Sequence, residues 1–340
     1  MDGRRRCPGV DVTTDGRREV RRWRRPGVTG SLLAAAVLLL LQEGVGAQEL
    51  SYSRGQSISP AYEGWVEKPD GSRAFLFGYM NRNWQEQPDI PVGPNNNFSP
   101  GAAERGQPTH FLPRRNRFVF EVPIPDDFDV ANELVWTLVI HGETRVAYAS
   151  MRPDYFLDNV TIMSEGGALG GGGSTPEERA NRPPEVELEG ATLRQVRVGE
   201  PLTLSVLVTD DGVPEPPSPE ALERANPITD QGTLDLEKIL RKPSYGTVNK
   251  VNALHHSWFV YHQPSGAEVT FDPPQIAVWE DVRPWTNSPW ADYWAPPDLP
   301  EDDRWVARVT FGLPGSYVLR GRADDGGLST DVDVRIEVRP

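Results

Sequence analysis

The chain has 340 residues and a net charge of −14, and 25% of its residues are charged. This length suggests about two domains, and the composition is that of a soluble globular protein with a polar surface. Its 32 Gly and 33 Pro predict many turns and few long helices. The negative charge disfavours nucleic acid and anionic membrane surfaces, so we expect neither as a partner.

Residues 1–47 differ from the rest of the chain. Their arginines precede an apolar run from Leu32 to Leu41, which at about 1.5 Å per residue reaches only about 15 Å, half of a hydrocarbon core of about 30 Å. Small residues follow up to Ala47. We therefore predict a signal peptide over 1–47 and an exported chain that is secreted, periplasmic or on the cell surface. An uncleaved apolar anchor is the alternative.

Removal of this leader changes the charge and the chemistry of the chain. Cys7 lies inside the leader, so residues 48–340 hold no cysteine for a disulfide, a thiol nucleophile or a thiolate metal site. The leader has 9 Arg and 5 acidic residues, and the remaining 26 basic and 44 acidic residues give a net charge of −18. We expect a mature chain that is soluble, does not span a membrane and has a surface suited to cations.

Residues 48–164 predict an all-β domain. Pro69-Asp-Gly71 separates two apolar runs and indicates a hairpin. Further on, Phe118, Phe120 and Val122 alternate with polar residues, which is typical of a strand with one buried face. The region 81–116 is rich in Asn, Pro and Gly. It predicts a long loop, either a surface excursion or a binding loop.

Residues 165–182 predict a flexible linker, because six of the ten residues from Glu165 to Ser174 are Gly. The predicted fold class is therefore all-β, with two β-sandwich-like domains joined by a Gly-rich linker. The second domain covers 183–340, where Leu202, Leu204, Val206 and Val208 alternate near its start and Val332, Val334, Ile336 and Val338 near its end.

The second domain carries a resemblance in its first and last strands. The motifs Asn181-Arg-Pro-Pro184, Val198-Gly-Glu200 and LTLSVLVTDDG, with the closing PGSYVLRGRADDGGLSTDVDVRIEV, resemble bacterial PKD-like or cadherin-like Ig domains. The resemblance implies that Trp258 is the core tryptophan of strand C, that Tyr317 is a tyrosine-corner residue and that Leu319 is buried. It also implies two long insertions, at about 213–254 and 273–303.

Two acidic turns are the first candidate site. Asp210 and Asp211 end one strand of the second domain, and Asp324 and Asp325 end another. In an Ig topology these turns emerge at the same end of the sandwich. Four converging carboxylates would suit Ca²⁺, which prefers oxygen ligands, so we predict a candidate calcium site there. The alternative is that Asp-Gly simply makes turns.

The second insertion is the other candidate site. It is dense in aromatic residues, namely Trp279, Trp285, Trp290, Tyr293 and Trp294. Large rings of this kind stack on the apolar faces of sugars or anchor protein interfaces. The alternative is that the insertion folds over the sandwich and buries its own rings.

No catalytic motif stands out, so we predict that the chain is not an enzyme. We expect a binding or structural protein of the cell envelope or extracellular space, which engages a protein or polysaccharide partner. One alternative is an accessory carbohydrate-binding protein that uses the Trp-rich insertion. Another is a hydrolase with a carboxylate site between the domains, since glycosidase carboxylates lack a fixed local signature.

Overall fold

The structure is a computed structural model that describes residues 53–165, 175–216, 218–220, 253–280 and 297–340. The predicted signal peptide lies outside these ranges, as do most of the two predicted insertions and half of the predicted linker. Residues Leu50–Pro340 form one compact unit. Strands dominate that unit, which confirms the predicted all-β fold class. Within the described ranges, no helix has the length and apolarity needed to cross a membrane.

The first sandwich consists of two three-stranded sheets, with the orders β1–β2–β4 and β3–β5–β6. All neighbouring strands in them are antiparallel. The strands are β1 (Ile58–Glu67), β2 (Arg73–Asn81), β3 (Asn96–Ser99), β4 (Arg114–Ile124), β5 (Leu134–Ile140) and β6 (Glu143–Ala149).

Aromatic side chains fill the space between these two sheets. Phe77 of β2 stacks on Phe120 of β4 with ring centroids 5.4 Å apart, and Phe98 of β3 stacks on Trp136 of β5 at 5.9 Å. Each of these rings is buried. The predicted hairpin is confirmed: Gly71 of its turn has a φ of 82°, a left-handed conformation that glycine adopts without a steric penalty.

Strand β4 departs from the predicted alternation at Phe118. Its φ of 49° and a register shift against β2 create a bulge, so Val119 is buried beside Phe120 while Phe118 is only half-buried. The prediction that Phe118, Phe120 and Val122 share one face is therefore wrong for Phe118. Phe77 pairs with Phe120 and Tyr79 with Asn116, so β4 has two extra residues opposite β2 and its inside–outside alternation is interrupted at that point.

Two short helices follow the first sandwich, α1 (Asn159–Glu165) and α2 (Pro176–Arg179). Helix α2 lies within the predicted flexible linker. A capping box begins it: the Thr175 hydroxyl accepts a hydrogen bond from the Glu178 N–H, and the Glu178 carboxylate accepts one from the Thr175 N–H. Because both bonds satisfy backbone groups at the helix start, this part of the linker is ordered.

The second sandwich consists of two four-stranded sheets, with the orders β11–β12–β9–β7 and β10–β13–β14–β8. Its strands are β7 (Glu185–Leu188), β8 (Leu193–Arg197), β9 (Leu202–Thr209), β10 (His255–His262), β11 (Val269–Asp272), β12 (Arg304–Phe311), β13 (Gly315–Asp324) and β14 (Ser329–Arg339). If β9 and β10 are strands B and C, these orders are those of an Ig-like sandwich, with β7, β9, β12 and β11 as A, B, E and D.

The side chains implied by the Ig resemblance occupy the expected places. Trp258 of β10 and Leu319 of β13 are buried in one core with Leu204 and Val206 of β9. The Tyr317 hydroxyl donates a hydrogen bond of 2.7 Å to the Leu313 carbonyl, four residues upstream, which is the tyrosine-corner contact. An Ig-like fold is thus present, whereas its PKD-like or cadherin-like subdivision stays a prediction.

The two sandwiches pack against each other through β10. Phe259 and Tyr261 belong to the core cluster of the first sandwich, whereas Trp258 and Val260 belong to that of the second. A register shift between Val260 and His262 places Tyr261 as an extra residue opposite β13. Strand β10 therefore has a buried side chain at almost every position, so it is a central layer of the whole unit.

Candidate functional site

A cavity of about 580 Å³ lies where the two sandwiches meet. Strand β4 forms one wall from Arg117 to Glu121, and the turn between β13 and β14 forms another from Gly327 to Asp331. Helix α1 contributes Asn159 and Ile162, and the segment Ala277–Glu280 covers a further side. Since four separate parts of the fold converge here, the cavity exists only because the sandwiches are packed together.

The bulge in β4 shapes the first wall. The carbonyl groups of Phe118 and Val119 lie at this bulge and accept hydrogen bonds from β13. Arg320 donates a hydrogen bond of 2.7 Å to the Val119 carbonyl, and Arg322 donates one of 3.1 Å to the Phe118 carbonyl. Two arginines of the second sandwich thereby satisfy backbone groups of the first.

Both arginines are held by carboxylates from β14. Arg322 makes a bidentate pair with Asp331 at 2.7 and 2.8 Å, and Arg320 makes one with Asp333 at 2.7 and 2.9 Å. The Arg320 guanidinium also lies 3.7 Å from the centre of the Tyr261 ring. Burial is the largest single effect on the pKa of Arg322 and lowers it, but the charge and hydrogen bond of Asp331, together with the Asp324 charge, outweigh burial and the net pKa is raised. Both guanidiniums stay charged.

The segment before the second predicted insertion is tied to β4. The backbones of Glu280 and Arg115 exchange hydrogen bonds of 2.8 and 3.4 Å, so the segment adds a short antiparallel bridge to the strand edge. Arg117 Nε donates to the Glu280 carboxylate at 3.2 Å, and its guanidinium also pairs with Glu165 at 3.1 Å. These contacts fix the position of Trp279 within the cavity wall.

Of the five aromatic residues predicted to bind a partner, the structure describes Trp279. It is half-buried, packs against the core of the first sandwich and lines the cavity. Trp285, Trp290, Tyr293 and Trp294 lie outside the described residues. Among the described residues, the choice between a binding surface and a core therefore concerns Trp279, which packs on the core with one part and lines the cavity with another.

The four predicted calcium ligands serve different contacts. Asp324 lines the cavity and accepts a hydrogen bond from the Gly326 N–H. Asp325 accepts from Leu328 N–H and from the Asn181 amide, while Asp211 accepts from Arg182 N–H and Asp210 from Gly212 N–H. The described residues, which include all four, contain no group of three or more His, Cys, Asp or Glu side chains that could hold a metal ion.

Burial raises the pKa of two of these carboxyls. Loss of solvent raises the pKa of Asp325 to about 6, although hydrogen bonds from Leu328 and Gly327 oppose that shift. The same cause raises the pKa of Asp210. The two turns accept hydrogen bonds from Asn181 and Arg182, which precede β7. This arrangement agrees better with the alternative that Asp-Gly forms turns than with a calcium site.

Parts of the long loop after β2 are buried, which contradicts a simple surface excursion, whereas the binding-loop alternative stays a prediction. Asn81, Asn83 and Asn96 are fully buried, and their amides bond to backbone and side-chain groups. Asn96 accepts from Trp136 Nε1 at 3.0 Å and donates to the Ile90 and Pro108 carbonyls. These amides supply the partners that a loop without regular structure needs in order to be buried.

The same loop also joins the two sandwiches. His110 lies 2.8 Å from the Asp89 carboxylate, which accepts further hydrogen bonds from the Gln263 amide and the Gly266 N–H of the second sandwich. The Tyr261 carbonyl accepts from the Thr109 and His110 N–H groups. The loop is therefore packed into the interface.

Sequence reasoning missed the residues that build the cavity, above all Arg320, Arg322, Asp331 and Glu280. Asp331 and Asp333 alternate with the apolar residues of the last strand, a pattern that predicts solvent-facing side chains, yet these side chains bind arginines that are mostly buried. One signal was present. In a hairpin around Asp324–Gly327, Arg320 falls opposite Asp333 and Arg322 opposite Asp331, which is the observed register. Two cross-strand ion pairs on the same face of this strand pair indicate that the face is not exposed only to solvent.

No family model and no curated protein sequence matches the chain. Among solved structures, the N-terminal eight Ig domains of Down Syndrome Cell Adhesion Molecule match at 9% identity and a TM-score of 0.21, over 83% of this chain and 27% of that one. Domains 4 and 5 of the S-layer protein SbsC match at 10% identity and 0.20, over 62% and 66%, and the Yersinia pseudotuberculosis adhesin InvE at 10% and 0.22, over 82% and 58%.

These TM-scores are too low for the overall arrangements to correspond, so the matches carry no argument about this chain. The chain also spans about a quarter of the first matched structure and about two thirds of the second. Its Ig-like character rests instead on its own strand orders and on the Tyr317 corner contact.

Proposed function

We propose that the exported chain is a non-catalytic binding protein of the cell envelope or extracellular space, which engages a polysaccharide or protein partner in the cavity between its sandwiches. The cavity is the observation that carries this proposal. Ligand sites are typically concave, about 300–1,000 Å³ in volume and often placed at domain interfaces. This cavity has about 580 Å³, lies at such an interface and combines an aromatic ring with convergent polar groups.

Export is the second part of the proposal. It is supported by the predicted signal peptide over 1–47. The alternative, anchoring by an uncleaved apolar segment, places the same two sandwiches outside the membrane. In both cases residues 48–340 carry a net charge of −18.

A hydrolase is the second candidate, because Glu280 and Asp331 both line the cavity between the sandwiches. Each carboxylate, however, already accepts hydrogen bonds from an arginine, Arg117 or Arg322. A glycosidase needs one carboxyl that donates a proton, whereas a carboxylate paired with a guanidinium is stabilised in its ionised form. The pairing therefore favours binding over hydrolysis.

The test is to offer purified 48–340 chain an array of polysaccharides and peptides, and to compare it with a variant whose cavity is filled. Thr330→Trp adds a large ring to the cavity wall, whereas Thr144→Trp adds the same ring to an exposed position of β6. We expect retention on at least one array member, lost in Thr330→Trp and kept in Thr144→Trp, with both variants folded as judged by thermal melting. Equal retention by both variants, or none by the original chain, would overturn the proposal. Cleavage of a retained glycan, lost in Glu280→Gln, would establish the hydrolase instead.

A further inference from the structure

The charged groups of the cavity balance each other, which restricts the ligands that it can hold. Its lining includes three arginines and four acids, a difference of one charge, and these are Arg117, Arg320, Arg322, Glu121, Glu280, Asp324 and Asp331. The arginines are engaged with Glu280, Asp333 and Asp331. A charged ligand would lose its hydration here without meeting an excess of the opposite charge, so such a ligand is disfavoured.

Ion pairs of this kind still bond well to neutral polar groups. A guanidinium has five N–H donors and a carboxylate has about four acceptor positions, more than the pairs themselves use. In the part of the chain that the structure describes, the Ser329 and Thr330 hydroxyls on the opposite wall make no side-chain hydrogen bond. A ligand rich in hydroxyls can donate to some of these groups and accept from others, which a purely acceptor or purely donor ligand cannot do.

Trp279 supplies an apolar surface in the same cavity. The ring packs partly against the core of the first sandwich, and the backbone bridge of Glu280 to Arg115 holds its neighbour in place. A ring that is already immobilised loses little conformational entropy when a ligand stacks on it. The C–H faces of a sugar ring are the apolar part of an otherwise hydroxylated molecule, and they fit an aromatic face beside polar groups.

From these three observations we infer that the cavity takes an uncharged saccharide, with one sugar ring stacked on Trp279 and hydroxyl groups bonded to Arg117 and Thr330. The inference rests on the proposed function, because it assigns a ligand class to the same cavity. It differs from the predicted aromatic platform, since the site is built by β4 and the β13–β14 turn together with Trp279.

The experiment measures calorimetric affinity for neutral probes, namely maltohexaose, cellohexaose and the hexamer of N-acetylglucosamine. The charged probes are oligogalacturonate and chitosan hexamer, and an arrayed peptide set represents protein partners. We expect binding of a neutral oligomer with an affinity that added salt leaves unchanged, because no net charge is paired. Trp279→Ala should weaken it about tenfold or more, and Trp279→Phe should restore part of the loss.

Controls separate the inference from the proposed function. Trp305→Ala removes a half-buried ring of the second sandwich that does not line the cavity, and it should leave the affinity unchanged. Thr330→Ala tests the opposite wall should Trp279→Ala prove unstable. Binding of charged oligomers or peptides alone, abolished by Thr330→Trp, would overturn the assignment to an uncharged saccharide and keep the binding function. Loss of neutral-oligomer binding in Trp305→Ala but not in Trp279→Ala would overturn the site, and absence of binding to every probe would overturn both.

Discussion

At the scale of single residues, the corner contact of Tyr317 is a direct test of the Ig-like second sandwich. The Tyr317 ring is buried, and its hydroxyl donates a hydrogen bond to the Leu313 carbonyl. We expect Tyr317→Phe to lower the free energy of unfolding by about 1 kcal/mol, because it removes one hydrogen bond and leaves a carbonyl without its donor. Urea unfolding checks this value.

A matched control is available on the first sandwich. Tyr148→Phe removes the same hydroxyl from an exposed tyrosine of β6, and it should change the free energy of unfolding by less than about 0.5 kcal/mol. Equal changes in the free energy of unfolding for the two substitutions would show that the hydrogen bond of the Tyr317 hydroxyl does not stabilise the fold.

Buried titratable groups predict that the chain loses stability in acid. Burial lowers the pKa of His256 to about 3 and that of His262 to about 4, from 6.5. Both histidines bind protons more readily in the unfolded chain, so their contribution to stability is lost as pH falls below about 6.5. Asp325 acts in the opposite sense, because its pKa is raised from 3.8 to about 6 and the folded state gains stability as pH falls through that value.

The two histidine shifts together exceed the single aspartate shift, so we expect net destabilisation between about pH 7 and about pH 4. Urea unfolding at these two pH values measures it. His262→Gln should reduce the loss, since glutamine does not titrate and an amide can still bond to the Thr109 hydroxyl, which lies 3.0 Å from His262 Nδ1. A stability that is independent of pH, or that rises in acid, would contradict the burial of the histidines.

At the scale of elements, the bulge of β4 depends on a glycine in β2. A Cβ atom on Gly78 would collide with the Asn116 carbonyl and with the Glu63 carboxylate, at the place where the register between β2 and β4 shifts. We expect Gly78→Ala to cost about 1–3 kcal/mol of unfolding free energy, because backbone atoms must move to admit the methyl group. Chemical unfolding measures the change.

Gly199→Ala is the comparison for this prediction. Gly199 has a φ of 78° but no atom within 4 Å of an added Cβ, so alanine there meets backbone strain without a collision. Its cost should be about 1–2 kcal/mol. If Gly78→Ala proved harmless, the bulge would not be closely packed against β2.

Period-two patterning was sufficient to predict most strands, because Val334, Ile336 and Val338 or Leu204 and Val206 each present one apolar face to one core. It failed at Phe118, where β4 has two extra residues opposite β2, since a bulge has no apolar signature of its own. It also failed for the loop after β2. The buried amides of Asn81 and Asn96 look like surface residues until their hydrogen-bond partners are known.

The cavity could not be predicted from local sequence, because its walls come from parts of the chain about 200 residues apart, as the contact of Arg322 with Phe118 illustrates. Trp279 and Asp324 were selected for their residue type and do line it. Asp210, Asp211 and Asp325 were selected on the same grounds, and they bond to their own turns and to Asn181–Arg182 instead.

At the scale of the whole molecule, two domains joined only by a glycine-rich linker would move and unfold independently. Here, side-chain hydrogen bonds join the two sandwiches. Arg320 and Arg322 bond to the first sandwich, and Asp89 accepts bonds from the second. We therefore expect the 48–340 chain to unfold in a single calorimetric transition. Its measured enthalpy should equal the van't Hoff enthalpy, which is the criterion for one cooperative unit.

Arg322→Met should break this coupling. It removes the donor to the Phe118 carbonyl and one of the two arginines beside the Asp331 carboxylate, a loss of about 1–3 kcal/mol. Because the substitution destabilises the interface between the sandwiches more than either core, the single calorimetric transition should separate into two. Arg335→Met, which removes an exposed arginine from the same strand pair, should leave one transition. A single transition in Arg322→Met, shifted to lower temperature, would mean that the apolar contacts of Phe259 and Tyr261 couple the sandwiches without the arginine clamp.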